Sequence, residues 1–208
     1  MTFPTRKSLA ASRRALAAVA CLASVIVLAP ARAGARPSAQ AEPASKPEMN
    51  EPAPDPNAPL PSPPATATVT LGAGTIDIHY NTPHMRGRKI MGALVPYGQV
   101  WRTGANPATT LITSVPYKFG DLVVPAGTHS IYTLPSADTW LLIINNQTGQ
   151  WGTVYTQAMD LGRTPMKAKP MSAPQEVMSL SFENSTPHST ELHMRWETTD
   201  RYVIVTTP

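Results

Sequence analysis

Apolar and polar positions alternate with a period of two along most of the chain after residue 65. In the stretch "TIDIHY" this alternation places Ile76, Ile78 and Tyr80 on one face. The stretches "VMSLSF" at 177–182 and "LHMRW" at 192–196 repeat the pattern. Because successive side chains of a strand point to opposite faces of its sheet, each stretch is predicted to be a half-buried β-strand.

One stretch, "WLLII" at 140–144, is apolar at every position, which predicts a central strand buried on both faces. Helical periodicity is confined to two short candidates at 88–94 and 96–101. About nine strands at roughly ten-residue spacing predict an all-β domain. We expect an antiparallel β-sandwich of the Ig-like or jelly-roll-like kind, with a β-barrel as the alternative. The remaining strands are predicted at 109–115, 121–124, 128–134, 165–169 and 201–205.

The first 33 residues have the organisation of a secretory signal peptide. Basic residues precede an apolar run at 15–30, and "ARA" at 31–33 supplies small residues for cleavage. The run is shorter than the roughly 20 residues that cross a bilayer as a helix, so no membrane span is expected in the mature chain. A retained anchor and export by the twin-arginine route are the alternatives. The protein is therefore predicted to be exported, to the periplasm or the extracellular space.

Composition divides the rest of the chain into a linker and a domain. Residues 34–65 hold ten of the 23 prolines and few large apolar residues. This Pro/Ala-rich segment cannot bury enough apolar surface to offset the entropy of ordering, so it is predicted to be disordered. Residues 66–208 are rich in Val, Ile, Thr and Leu, and their number suits one domain with its own core. The pattern does not determine an oligomeric state.

The charge and the cysteine content exclude several functions. Five of the 17 basic residues and none of the 13 acidic residues lie in the first 33 positions, so twelve basic and thirteen acidic residues leave the mature chain at −1. That balance gives no reason to expect nucleic-acid binding. The single cysteine, Cys21, lies in the signal, so the mature chain has no disulfide, no thiolate nucleophile and no cysteine-ligated zinc.

Candidate binding residues cluster in two neighbouring segments. Arg88 and Lys89 lie in the cationic stretch "HMRGRK", and Arg102 and Asn106 follow after the turn "PYG". Arginine presents a rigid fork of donors to a carboxylate or phosphate, and asparagine adds a donor and an acceptor. If the two segments meet, they form a pocket for a small polar or anionic ligand. The alternative is structural, with solvated cations and with Arg102 and Asn106 tying the loop backbone together.

No pattern indicates a metal, a cofactor or a catalytic residue. Nucleophile-elbow, zinc-protease and phosphate-loop motifs are absent. The histidines have no metal-binding spacing and are expected to be solvated surface side chains. Trp101 and Trp151 are candidates for a carbohydrate platform, but burial is the favoured expectation for both. The five histidines of the chain are His79, His84, His129, His188 and His193.

Three blocks of sequence resemble the bacterial secreted family known as domain of unknown function 2911. They are "GRKIMGALVPYGQVWRTGANPATTL", "VPAGTHSIYTLP" and "WLLIINNQTGQWGT", and the resemblance covers residues 66–205. It implies an exported all-β domain with no established activity to transfer. His129 stands where the family more usually has an aromatic residue, which weakens a catalytic role for it. Thr82 stands where a basic residue is common, which predicts weaker anion binding in this chain.

Together these features predict an exported β-domain that binds a small polar or anionic ligand or an envelope component and is not an enzyme. The alternative is a hydrolase acting on an envelope or extracellular substrate, with the same cations stabilising charge and a histidine as base.

Overall fold

The computed structural model describes residues 61–208, which form eleven β-strands and one short 3-10 helix. The predictions for residues 1–60, which include the signal peptide and most of the linker, lie outside this range. The helix is η1 (Gln157–Met159), and the strands are β1 (Pro64–Leu71), β2 (Gly74–Asn81), β3 (Thr109–Thr113), β4 (Tyr117–Phe119), β5 (Leu122–Val124), β6 (Gly127–Leu134), β7 (Trp140–Asn145), β8 (Asp160–Lys169), β9 (Gln175–Glu183), β10 (Ser189–Glu197) and β11 (Thr199–Thr206).

The strands form an antiparallel sheet that is nearly closed into a barrel. Nine of them follow the order β1-β2-β3-β6-β7-β8-β11-β10-β9, and the β4–β5 hairpin joins through β11. The end strands β1 and β9 contact each other. The segment after β2 pairs with β9, where Met178 N–H donates to Pro83 O and Met85 N–H donates to Glu176 O, each at 2.9 Å. The all-β, antiparallel prediction is confirmed, and the near-closure corresponds to the barrel alternative.

The alternating stretches place their apolar faces inward, as predicted. Ile76 and Ile78 of β2 are fully buried, and Met194 and Trp196 of β10 are only 1% exposed. Removing these side chains from water supplies the main drive for closing the sheet, at about 25 cal/mol per Å² of apolar surface.

Strand β7 lies at the centre of the sheet and is buried on both faces, which confirms the prediction for "WLLII". Leu142 and Ile144 belong to the main core inside the barrel. Ile143 points the other way and packs with Ala108 and Tyr132 in a second, smaller cluster. A second cluster exists because loops before β3 and after β7 cover this part of the outer surface.

Some elements differ from the sequence prediction. Strand β1 begins at Pro64, inside the segment assigned to the linker, and the three-residue β4 had no detectable pattern. Proline is compatible with the first residue of an end strand because that position needs no ladder N–H. The candidate helices at 88–94 and 96–101 are wrong, since both stretches form turns. Gly92 and Gly98 have φ of 77° and 76°, a conformation that interrupts a right-handed helix. Within residues 61–208 we find no helix with the length and apolarity needed to cross a membrane.

Candidate functional site

A cavity of about 260 Å³ opens where the two cationic segments predicted from the sequence come together. The segment between β2 and the 90–95 turn forms one wall, and the loop from Trp101 to Asn106 forms the opposite one. The full lining consists of Ser62, Pro83, Arg88, Leu94, Val95, Trp101, Arg102, Gly104, Ala105, Asn106 and Trp196.

The first wall is held by side chains that bind backbone groups. Arg88 donates from Nε to Met85 O at 2.9 Å and from Nη2 to His84 O at 2.7 Å, which closes the turn around it. The carboxylate of Glu197 accepts hydrogen bonds from the N–H groups of Ile90 and Met91, at 3.3 and 3.0 Å. Arg88 is exposed and its guanidinium is already partly satisfied, so its main role is to shape the wall.

Trp101 anchors the second wall to the barrel. Its N–H donates to Thr133 O, and its carbonyl accepts from Thr133 N–H, both at 2.8 Å, which pairs Trp101 with β6 through one antiparallel bridge. Its ring stacks on Trp196 with centroids 5.8 Å apart and planes at 20°. Burial of Trp101, favoured from the sequence, is partial: the side chain packs against the core and also lines the cavity.

The loop after Trp101 has an unusual backbone. Thr103 and Asn106 have φ of 52° and 60°, a left-handed conformation that a threonine rarely adopts. Gly104 is required here because a Cβ would stand 2.9 Å from Thr109 Oγ1 and 3.2 Å from Asn81 O. Thr109 Oγ1 in turn donates to Thr103 O at 2.9 Å. Surrounding contacts therefore hold the loop in a conformation that the chain would not choose alone.

This loop leaves a row of backbone donors without acceptors. None of the N–H groups from residue 102 to residue 106 donates to a backbone carbonyl in the described part of the chain. Four of these residues, Arg102, Gly104, Ala105 and Asn106, line the cavity. Successive backbone N–H groups in a turn that mixes right- and left-handed residues are a recurrent way for a backbone to receive an anion.

Arg102 is the one cavity side chain with an evident deficit. Its Nε is buried and has no hydrogen-bond partner among residues 61–208. No carboxylate within that range forms an ion pair with it, and burial lowers the pKa of its guanidinium. A buried donor without an acceptor is costly, and more so when it belongs to a charged group, so the position suits an external acceptor.

Asn106 and Lys89 differ from Arg102 in their surroundings. Asn106 Nδ2 donates to Ser62 O at 3.4 Å, and Asn81 Nδ2 donates to the same oxygen at 2.9 Å. Asn106 thus lines the cavity while tying the loop to the chain before β1. Lys89 is exposed and does not line the cavity. Of the four predicted binding residues, Arg88, Arg102 and Asn106 therefore meet at one cavity, and Lys89 stands apart.

The histidine expectation needs correction at two positions. His129 is 5% exposed and His193 is fully buried, although both were expected at the surface. Nδ1 of His193 lies 2.7 Å from Asp200 Oδ1, its Nε2 lies 3.1 Å from Glu191 Oε2, and the ring of Tyr202 stacks on it. Alternation correctly placed His193 on the outer face, but its charged and aromatic neighbours exclude water there. No group of three or more potential metal ligands occurs among residues 61–208.

The tryptophan expectation is wrong for Trp151, whose side chain is 54% exposed. Its backbone pairs with Pro107, and the N–H of Gly152 donates to Asn106 O at 3.0 Å. Gly152 faces the stem of Arg102. Trp151 is not part of the cavity wall.

A family model described as "Protein of unknown function (DUF2911)" matches residues 62–205. The chain belongs to this family. No match was found among curated proteins or among solved structures. The blocks that resemble the DUF2911 family converge in the fold: the block at 87–111 forms most of the cavity, Thr133 of the second pairs with Trp101, and Gly152 of the third lies against Arg102.

Sequence reasoning missed three contributors to the site. The N–H groups of Thr103, Gly104 and Ala105, which have no backbone acceptor within residues 61–208, belong to the main chain, so residue type does not reveal them. Trp196 comes from β10 and was predicted only as a core residue. Gly152 lies in the third block that resembles the family, and its close contact with Arg102 explains why a glycine is needed there.

Proposed function

We propose that this domain binds a small anion in the cavity beside Arg102. The observation that carries the proposal is the buried Nε of Arg102, which lacks a hydrogen-bond partner among the described residues. A buried donor without an acceptor costs about 1–3 kcal/mol, and more when the group is charged. An oxygen of a carboxylate or phosphate would accept this hydrogen bond and neutralise the guanidinium. The ligand would therefore stabilise a side-chain donor that residues 61–208 leave unsatisfied at the cavity.

The backbone of residues 102–106 supports the same ligand class. Its N–H groups have no backbone acceptor within residues 61–208, and part of this segment forms the cavity wall beside Arg102. A neutral ligand could take these hydrogen bonds, but only an anion also compensates the desolvated guanidinium. Arg102 and the adjacent backbone are thus two independent features that favour negative charge at one place.

The cavity favours binding over the hydrolase alternative. A hydrolase needs a general base within hydrogen-bond reach of the reacting atoms. The residues of the described chain that line the cavity include no histidine, aspartate or glutamate. Arg102 could stabilise developing negative charge, but no ionisable lining side chain is suited to accept a proton.

The proposed place of action is outside the cytoplasm, as a binding or envelope-associated module. Support comes from the sequence alone, through the basic and apolar segments that precede residue 34. Fractionation of cells that express the full chain, with N-terminal sequencing of the mature protein, tests this proposal. A shortened protein in the exported fraction supports it, and a full-length protein confined to the cytosol contradicts it.

Calorimetric titration of the purified protein with acetate, benzoate, inorganic phosphate and sulfate tests anion binding. We expect at least one of these anions to bind and Arg102→Ala to weaken its affinity about ten- to hundredfold, the value of one charge-assisted hydrogen bond. Lys89→Ala is the matched control, because it removes one exposed cation from the same region but none from the cavity wall. Its effect should stay within about twofold at physiological salt, where screening acts over about 8 Å.

Two outcomes would overturn anion binding. One is that none of the four anions binds the wild-type protein. The other is that Arg102→Ala, shown by circular dichroism to be folded, binds as tightly as wild type.

A further inference from the structure

We infer that the anion is a singly charged carboxylate that carries a short apolar or aromatic body. This inference rests on the proposed function, and it names the ligand class of the same cavity. Three features carry it: the number of available cations, the chemistry of the walls and the size of the space.

Two guanidinium groups line the cavity, and that of Arg102 is the one partly withdrawn from solvent. Arg102 has a buried Nε without a partner among the described residues. Arg88, the second guanidinium of the lining, already donates from Nε and Nη2 to two backbone carbonyls and is exposed to solvent. The partly desolvated Arg102 guanidinium balances one negative charge, and the planar fork of an arginine fits the two oxygens of a carboxylate. A doubly charged phosphate would bring a second charge, and the other guanidinium of the lining, that of Arg88, is exposed to solvent.

Part of the remaining wall is apolar. Val95 and Trp196 are only 2% and 1% exposed and so present little surface, whereas Leu94 is 47% exposed on the solvent side of the lining. Trp101, which is half-buried and stacks on Trp196, adds an aromatic surface. A purely inorganic anion would leave the surfaces of Leu94 and Trp101 in contact with water. An apolar body attached to the carboxylate would cover them and gain about 0.8 kcal/mol for each buried methylene.

The volume indicates the size of the part of that body that the cavity can cover. At about 260 Å³, the cavity is smaller than the roughly 300 Å³ at which pockets for drug-sized ligands begin. Taking about 30 Å³ for each water-sized unit, it holds about nine such units. Benzoate and hexanoate are of this size, and a long fatty acid is not.

Titration calorimetry of the purified protein with acetate, butanoate, hexanoate, benzoate, inorganic phosphate and sulfate tests the ligand class. We expect the affinity of the aliphatic acids to rise about three- to fourfold per added methylene until the space is filled. Benzoate or hexanoate should bind more tightly than phosphate and sulfate. Phosphate or sulfate binding as tightly as hexanoate, or an affinity independent of chain length, would overturn the inference.

A pair of variants makes the test specific to the apolar wall. Leu94→Ser should lower the ratio of hexanoate to acetate affinity about threefold or more, because it removes apolar contact area without removing a cation. Val123→Ser is the matched control: Val123 is 55% exposed on β5 and does not line the cavity. An unchanged ratio in folded Leu94→Ser protein would overturn the inference.

The same data separate failure of this inference from failure of anion binding. If anions bind and depend on Arg102 but show no preference for an apolar body, only the carboxylate class is wrong. If no anion binds, or if binding does not depend on Arg102, the proposed function itself fails.

Discussion

Gly152 lies directly against the side chain of Arg102: a Cβ atom on Gly152 would stand 2.1 Å from Arg102 Cδ and 3.0 Å from Arg102 Cβ. Gly152 is not among the glycines with positive φ, so its backbone would accept any residue and the restriction is purely steric. The β7–β8 loop therefore fixes the path of the arginine stem. This close approach determines where the guanidinium enters the cavity.

Gly152→Ala is expected to destabilise the domain by about 1–3 kcal/mol, the usual cost of inserting a methyl group into a well-packed place. The same variant should weaken anion binding, because the Arg102 stem must move. Urea unfolding measures the first effect, and calorimetric titration with benzoate measures the second. Wild-type stability together with wild-type affinity would contradict the proposed contact.

The double variant Gly152→Ala/Arg102→Ala tests whether the two residues act through each other. Without the stem beyond Cβ, the added methyl group loses its closest contact, so the double variant should be more stable than the sum of the single effects predicts. Rescue should be partial, because Asn106 O would still lie 2.7 Å from the new Cβ. Strictly additive effects would show that the side chains are not coupled.

The sequence predicted the strands well where their two faces differ in polarity. "TIDIHY", "VMSLSF" and "LHMRW" alternate because one face meets the core and the other meets solvent, and "WLLII" does not alternate because both of its faces are covered. Strand β4 escaped detection because three residues hold too little periodicity. The helical candidates near Gly92 and Gly98 failed because residue spacing alone does not show where the backbone turns to positive φ.

The site was predictable only in its polar and charged side chains. Side-chain chemistry singled out Arg88, Arg102 and Asn106, and the fold brings all three to one cavity. The N–H groups beside them, which have no backbone acceptor within residues 61–208, belong to the main chain, so residue type does not reveal them. His193 shows a related limit: strand alternation gives the face of a side chain, but its burial depends on Asp200 and Tyr202, which arrive from the next strand.

His193→Leu is expected to destabilise the domain by about 3 kcal/mol, because it removes a partner of a buried carboxylate. Asp200, whose side chain is only 2% exposed, would retain Arg195 Nε at 2.8 Å as its charged partner. Urea unfolding at constant m-value measures the change. His188→Leu is the matched control, since His188 is exposed on a turn and should change stability by less than about 0.5 kcal/mol. Equal stability of the two variants would contradict a supporting role for the buried histidine.

Lowering the pH should lower the free energy of unfolding of the domain through protonation of Glu183. Hydrogen bonds from the Arg195 guanidinium lower the pKa of this carboxyl to about 2. A lowered pKa means that the ionised form stabilises the folded state. This contribution is complete above the unfolded pKa of 4.5 and is lost as the pH falls towards about 2. The urea midpoint of the wild type should therefore fall over this range, and Glu183→Gln should show a shallower fall. Parallel pH profiles would contradict the assignment.

Raising the pH should lower the free energy of unfolding through Tyr155, whose pKa is raised, in contrast to that of Glu183. Burial, together with a hydrogen bond from its hydroxyl to Asp160, raises the pKa of Tyr155 to about 12. The neutral phenol is therefore favoured in the folded state. Its contribution is complete below the unfolded pKa of 10.0 and is lost as the pH rises towards about 12. Absorbance titration of phenolate formation should show a late component that is smaller in Tyr155→Phe but not absent, because burial also raises the pKa values of Tyr117 and Tyr132. The urea midpoint of that variant should depend less on pH above about 10. A wild-type titration that is complete near pH 10 while the protein is still folded would contradict the burial of this hydroxyl beside Asp160.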